Sequence, residues 1–224
     1  METTTSLESQ YRPSSFSDIV FATPAQSTAL SPYFDGLSRR PLIFHGPPGS
    51  GKTATAKLFP AAICPDIQQA HIMELNGSKD TGIDKIRSVF GDFARTTKSN
   101  MLDLGGIIFN EADGLSKDAQ DALKGEIEAV QEYCLVIMTT NNLTKISTPI
   151  RDRSRLVEFP LPDTALLLPL AQRIMQDHGE HISDDQMLTV LNAETYPAGH
   201  LSYRKMFERI ETLITKRRAL KAKP

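Results

Sequence analysis

One segment constrains the fold of this chain more than any other, the octet Gly46–Thr53, which reads Gly-Pro-Pro-Gly-Ser-Gly-Lys-Thr. It fits the pattern G-x-x-x-x-G-K-[ST] at every fixed position. The pattern needs glycines where a Cβ would block a loop whose backbone N–H groups converge on phosphate oxygens. An apolar run precedes the octet, and the helix-forming run Ala54–Leu58 follows it. This context predicts a strand, a phosphate-binding loop and a helix whose N-terminus faces the anion.

We expect the whole loop to contact nucleotide phosphates. Its residues are Gly46, Pro47, Pro48, Gly49, Ser50, Gly51, Lys52 and Thr53. In this interpretation the Lys52 ammonium reaches the β- and γ-phosphates, and the Thr53 hydroxyl binds Mg²⁺. The expected cofactors are therefore ATP and Mg²⁺.

Five short apolar runs, separated by helix-sized segments, favour an α/β fold with a parallel five-stranded sheet and flanking helices. The runs begin at Pro41, His71, Gly106, Cys134 and Leu156. Beyond Pro160 the apolar residues recur with helical periodicity. We therefore predict a nucleotide-binding α/β domain over residues 1–161, a small all-helical domain over 162–218 and a basic tail over 219–224.

The third apolar run ends in Asn110-Glu-Ala-Asp113, where a nucleotide hydrolase needs a carboxylate for the metal and a base that orients water. The usual pattern is Asp followed by Glu. Here the first position is Asn110, and an amide cannot supply the negative charge that a Mg²⁺-bound water network prefers. Glu111 stands where the base is expected, and Asp113 is a candidate to compensate for Asn110. The sequence thus favours nucleotide binding and leaves hydrolysis open.

Composition excludes some classes of protein. The chain has 25 Lys plus Arg against 27 Asp plus Glu, a net charge of −2, so it is not a generic polycation. Any affinity for DNA must come from local groups of cations or from oriented backbone groups. We find no apolar stretch of about 18 residues and no secretory signal, so we expect no membrane association. Two Cys residues without a metal-binding pattern favour the reducing cytoplasm.

Several segments resemble the AAA+ ATPases of the sliding-clamp loader family, specifically the small subunits of replication factor C. Each segment is similar to a motif of that family in both residue type and order along the chain. The segments are Tyr11–Val20, the octet Gly46–Thr53, Glu74–Asp84, Ser116–Leu123, Thr139–Asn142, Pro149–Ser154 and Ser202–Met206. Together they extend over most of the sequence.

The resemblance implies a P-loop AAA+ fold in which the all-helical domain is a lid over the nucleotide. It also implies that the adenine is contacted by Tyr11, Arg12 and Val20. Asn141 would be the polar residue at a strand end that contacts the γ-phosphate or its water. Arg153 would be the finger offered to the nucleotide of a neighbouring subunit, and Arg204 would act from the lid. With Glu111 as base, these residues form the expected catalytic set, and Thr53 and Asn110 form the expected metal site.

The sequence departs from the family in three places. Asn110 replaces the metal-organising Asp. In this respect the chain resembles family members that bind nucleotide with little turnover. Asp152 replaces a Ser beside Arg153, and Lys124-Gly125 stands where the family has paired arginines. The family also continues into a helical collar that has no counterpart here, so we expect subunit contacts to come from the ATPase tier itself or from a partner.

Our leading hypothesis is a clamp-loader-like subunit that couples ATP binding and hydrolysis to the loading of a sliding clamp onto primer-template DNA. Its expected partners are other AAA+ subunits, DNA and a sliding clamp. One alternative is a regulatory or structural subunit that binds nucleotide with little ATPase activity of its own. Another is a compact AAA+ remodeller for transposition, helicase loading or repair.

Overall fold

A computed structural model describes residues 6–79, 82–93, 96, 98–193 and 199–221 of the chain. Residues 222–224 of the predicted basic tail lie outside this described part. Among the described residues, every helix is too short or too polar to cross a membrane.

The predicted five-stranded parallel sheet is confirmed. Its strands are β1 (Leu42–His45), β2 (Ile72–Asn76), β3 (Gly105–Asn110), β4 (Cys134–Thr140) and β5 (Arg155–Glu158). They lie side by side in the order β2-β3-β4-β1-β5, and each neighbouring pair is parallel. Every strand therefore ends at the same edge of the sheet.

Helices flank the sheet and make up the region after β5. They are α1 (Leu7–Gln10), α2 (Pro24–Phe34), α3 (Lys52–Ile63), α4 (Ile83–Ser88), α5 (Lys117–Val130), α6 (Thr148–Arg153), α7 (Thr164–Asp177), α8 (Asp184–Asn192) and α9 (Tyr203–Lys221). Side chains cap several of these helices. The carboxylate of Asp163 accepts from the backbone of Ala165 at the start of α7, and the Ser183 hydroxyl accepts from Gln186 at the start of α8.

The sheet is buried on both faces because successive side chains of each strand point in opposite directions. Ile43, Ile107 and Val136 belong to one apolar cluster, together with the inner face of α5. Leu42 and Phe44 belong to a second cluster on the other face, together with α2 and α3. This double burial explains why the strands read as nearly continuous apolar runs.

The three last helices form a third apolar cluster, which also includes Leu7 from α1. The backbone N–H of Leu7 donates to Glu211 Oε1 at 3.0 Å, and the Tyr11 hydroxyl donates to Asp177 Oδ2 at 2.9 Å. The amino-terminal helix thus packs against α7 and α9, although it precedes the sheet in the sequence. The first described helix therefore packs with the helices that follow the sheet, and not only with the sheet domain to which it is assigned.

Phe59 on α3 is the centre of an aromatic group, and it tests how much the second cluster contributes to stability. Its ring lies 5.5–6.4 Å from those of Phe16, Tyr33, Phe34 and Phe44, and the side chain is fully buried. We expect Phe59→Ala to lower the free energy of unfolding by about 3–5 kcal/mol, because the cavity cannot collapse fully. Urea denaturation measures this change.

The matched control is Leu37→Ala, since the Leu37 side chain is 80% exposed. Its free energy of unfolding should change by no more than about 0.5 kcal/mol. Equal effects of the two substitutions would contradict the role of Phe59 in the core.

Candidate nucleotide-binding site

The loop between β1 and α3 is shaped by glycines that adopt conformations unfavourable for other residues. Gly46, Gly49 and Gly51 have φ angles of +145°, +76° and +94°. A Cβ on Gly46 would lie 2.1 Å from the carbonyl oxygen of Phe159, and one on Gly49 would lie 2.8 Å from Ser202 Cβ. The loop therefore touches the residue after β5 on one side and the start of α9 on the other.

Lys52, the first residue of α3, turns back over this loop. Its Nζ donates to the carbonyl oxygens of Gly46 and Pro47 at 2.8 and 2.7 Å, and the residue is only 6% exposed. Burial lowers the pKa of Lys52 from 10.5 to about 8, although the negative charge of Asp113 acts in the opposite direction. The loop thus holds an incompletely compensated cation, which an anionic ligand would stabilise.

The end of β3 carries the expected metal and water-orienting positions. Thr139 on β4 accepts from the backbone N–H of Glu111 at 3.2 Å, and its hydroxyl donates to Asn110 Oδ1 at 3.5 Å. Glu111 has a φ of +54°, a left-handed conformation that costs a non-glycine residue about 1–3 kcal/mol. Its carboxylate accepts from the Ser78 hydroxyl at 2.8 Å. Ser78, which follows β2, therefore holds the predicted base.

Asp113 is the second carboxylate at this edge of the sheet. Its Oδ1 accepts from the Thr140 hydroxyl at 2.9 Å, and its charge acts on Lys52. The described residues contain no cluster of three or more His, Cys, Asp or Glu side chains that could hold a metal by themselves.

The start of α9 closes the site from the other side. The backbone N–H of Tyr203 donates to the carbonyl oxygen of Gly49 at 2.9 Å. The Tyr203 hydroxyl donates to the carbonyl oxygen of Val20 at 3.0 Å. Burial raises the pKa of Tyr203 to about 12, so the phenol keeps its proton. Arg204 is exposed and lies beside Gly49. Tyr203 thus joins the loop, the amino-terminal segment and the helical region.

These elements enclose a cleft of about 730 Å³. The predicted site residues that line it are Tyr11, Arg12, Val20, Pro48, Gly49, Ser50, Gly51, Lys52, Thr53, Glu111, Asn141 and Arg204. Residues from the amino terminus, the loop, the sheet edge and α9 therefore lie around the same cleft.

Four predicted site residues lie outside the lining of the cleft. Gly46 and Pro47 contribute carbonyl oxygens to Lys52, and Asn110 is bonded to Thr139. Arg153 lies at the end of α6, on the surface of the chain, where its guanidinium pairs with Glu128 of α5. Arg153 therefore does not contribute to the cleft of its own chain.

Sequence reasoning missed several residues of the cleft. Tyr203 precedes the predicted Arg204 in the segment Ser202–Met206, so the sequence could have indicated that it belongs to the site. Arg173 on α7 gave no such signal, and its guanidinium carbon lies 5.8 Å from the centroid of the Tyr11 ring. The other missed lining residues include Thr139, Thr140, Phe159, Leu170 and Phe207.

Comparisons with known proteins identify similar chains. Residues 42–161 match the family model "ATPase family associated with various cellular activities (AAA)". Replication factor C small subunit 2 of Pyrobaculum islandicum is 32% identical over 182 residues, which cover 81% of this chain and 56% of the relative. The replication factor C small subunit of Thermoplasma acidophilum is 31% identical over 214 residues, covering 89% and 66%. The chain thus spans little more than half the length of the first of these relatives.

Solved structures share the fold. The structure of a Thermogota maritima RuvB mutant superposes with a TM-score of 0.61, at 18% sequence identity, and covers 90% of this chain and 73% of RuvB. At this identity the similarity concerns the fold alone.

The buried ammonium of Lys52 makes stability depend on pH. The folded state loses this proton near pH 8, whereas the unfolded chain keeps it until about pH 10.5. Between these values the unfolded state binds more protons, so a rise in pH stabilises the fold. We expect the free energy of unfolding of the wild type to rise in this interval relative to that of Lys52→Met. Urea denaturation of both proteins at several pH values measures the difference.

Comparison with Lys52→Met removes the contribution of every other group that titrates in the same interval. A difference that is flat or falls between pH 8 and pH 10.5 would contradict the lowered pKa of Lys52.

Proposed function

The chain belongs to the AAA family of ATPases, and on that premise we propose that it is a clamp-loader-like subunit that binds ATP in the cleft around Lys52. It assembles with other AAA+ subunits and couples ATP binding and hydrolysis to the loading of a ring-shaped sliding clamp onto primer-template DNA. One observation carries this proposal. The loop, the carboxyl ends of β3 and β4 and the start of α9 line a single cleft in a chain that is similar to replication factor C small subunits.

In this function, residues 1–161 are the nucleotide-binding domain, residues 162–218 are the helical lid and residues 219–224 are a basic tail. Tyr203 supports the lid assignment because it bonds to both Gly49 and Val20. Through these two bonds, a change in the orientation of the lid is transmitted to both sides of the cleft.

The phosphates of ATP bind at the loop and at the N-terminus of α3. Lys52 exchanges loop carbonyls for phosphate oxygens, and the anion compensates its charge. The adenine lies on the other side of the cleft, near Tyr11, Arg12 and Val20, which line it. Thr53 would hold Mg²⁺, with Asn110 acting on the water around it, and the ion would supply positive charge to the phosphates.

Hydrolysis is an in-line attack of water on the γ-phosphate. Glu111 orients the water once its carboxylate leaves Ser78, and Asn141 holds the γ-phosphate region from the end of β4. Lys52 and Arg204 stabilise the negative charge that develops in the transition state. Arg153 completes the site of the neighbouring subunit, so full catalytic activity requires the interface between two subunits.

A second candidate function is a nucleotide-binding regulatory or structural subunit with little hydrolysis of its own. Two observations favour it. Asn110 provides an amide where a carboxylate is expected. The Glu111 carboxylate accepts a hydrogen bond from the Ser78 hydroxyl, which holds it away from an attacking water. Multiple-turnover phosphate release by the assembled complex separates this candidate from the ATPase.

Asn110→Asp restores the missing carboxylate. We expect this substitution to increase ATP turnover of the assembled complex at limiting Mg²⁺ by at least about tenfold, because groups that organise a metal change its affinity by about 10–100-fold. A phosphate-release assay at several Mg²⁺ concentrations measures the effect.

Asn110→Ala is the matched control, since it removes the amide without adding charge, and it should give no increase. If Asn110→Asp is no more active than Asn110→Ala, the missing carboxylate does not limit turnover.

Clamp loading is tested by the mass of the complex that forms with a nonhydrolysable ATP analogue, primer-template DNA and a sliding clamp. We expect a complex that contains several AAA+ subunits, the clamp and DNA. Lys52→Ala should not form it, because nucleotide binding is lost, whereas Lys117→Ala, which removes an exposed lysine from α5, should form it normally. A nucleotide-dependent complex that excludes the clamp and retains a recombinase or helicase would instead indicate a remodeller.

A further inference from the structure

Arg153 is engaged by its own chain. Its Nε pairs with Glu128 Oε1 on α5, and its Nη1 donates to the carbonyl oxygen of Pro149 at 3.1 Å. The Arg153 side chain is 44% exposed and that of Glu128 is 53% exposed. The pair therefore lies at the surface, where a second molecule can reach both groups.

Hydrogen bonds from Arg40 hold the backbone next to this pair. Arg40, which precedes β1, donates to the carbonyl oxygens of Asp152 and Arg153 at the end of α6, the latter at 2.9 Å. These bonds satisfy carbonyls that have no partner within the helix. Arg40 thereby fixes the position from which the Arg153 side chain extends.

A buried glutamine fixes the other helix of the pair. Gln120 on α5 donates to the carbonyl oxygen of Lys145 at 3.0 Å and accepts from the backbone N–H of Ser147 at 2.7 Å. Ser147 immediately precedes α6, so α5 and α6 are held in one orientation. The side chains of Glu128 and Arg153, which are about half exposed, can still exchange partners.

We propose that Glu128 is a positioning residue that retains Arg153 within its own subunit, and that Arg153 must leave Glu128 to contact the nucleotide of a neighbour. This inference rests on the proposed function, in which Arg153 acts in trans. A triphosphate carries more negative charge than one carboxylate and offers a guanidinium several acceptor oxygens. An ATP-loaded neighbour therefore competes successfully with Glu128, whereas an empty site does not.

The exposure of the Glu128–Arg153 ion pair makes this exchange easy. A half-exposed ion pair between flexible side chains stabilises a structure only weakly, and salt screens it further. Removal of Glu128 should thus favour assembly by about twofold to fivefold, and not by orders of magnitude.

The test is the protein concentration that gives half-maximal assembly with a nonhydrolysable ATP analogue, measured by sedimentation at low and high salt. Glu128→Gln keeps the shape of the side chain and removes its charge. We expect it to lower this concentration about twofold to fivefold at low salt, with a smaller difference at high salt. Asp121→Asn, which removes one exposed charge from the same helix, should resemble the wild type.

A double-variant cycle identifies the cause. In an Arg153→Ala background, Glu128→Gln should have no further effect on assembly, because the competing arginine is gone. If Arg153→Ala weakens assembly but Glu128→Gln equals Asp121→Asn or weakens assembly too, the role of Glu128 is wrong while the proposed function stands. If Arg153→Ala assembles like the wild type, the trans role of Arg153 is wrong and this inference fails with it.

Discussion

The absence of a Cβ at two positions allows the rest of the site to form. Gly46 lies against the carbonyl oxygen of Phe159, and Gly49 lies against Ser202. Side chains at these positions would push apart the sheet, the loop and the helical region. Because the loop can approach so closely, Tyr203 bonds to Gly49, and the helices after β5 form one wall of the cleft.

The same contacts leave the site in a conformation that stores free energy. Lys52 is a buried cation whose partners are neutral carbonyl groups, and Glu111 has a left-handed backbone conformation. Both features disfavour the folded chain by itself, and such features persist where the surrounding structure enforces them. A bound triphosphate would compensate the charge of Lys52, so ligand binding and stability are coupled.

In the function that we propose, the two polar contacts Ser78–Glu111 and Glu128–Arg153 restrain the groups that act on ATP. One restrains the base within the site, and the other restrains the arginine destined for the neighbouring site. Each is weak enough to exchange when charged phosphate becomes available. A subunit built in this way would be inactive alone and active only when nucleotide and neighbour are both present.

Features that depend on neighbouring residues or on local periodicity can be predicted from the amino-acid sequence. Glycine spacing and apolar runs predict the loop, the parallel sheet and the helices after β5, because these patterns have direct structural meaning. The position of Asn110 after an apolar run likewise shows where the expected carboxylate is missing. Other contacts became evident only in the folded chain. Tyr203 is hydrogen-bonded to Val20, Ser78 is hydrogen-bonded to Glu111, Glu128 pairs with Arg153, and Leu7 packs with the last helices. These contacts join residues from 25 to more than 180 positions apart. No local pattern encodes them, since they arise only when the packing of the apolar clusters brings distant elements together.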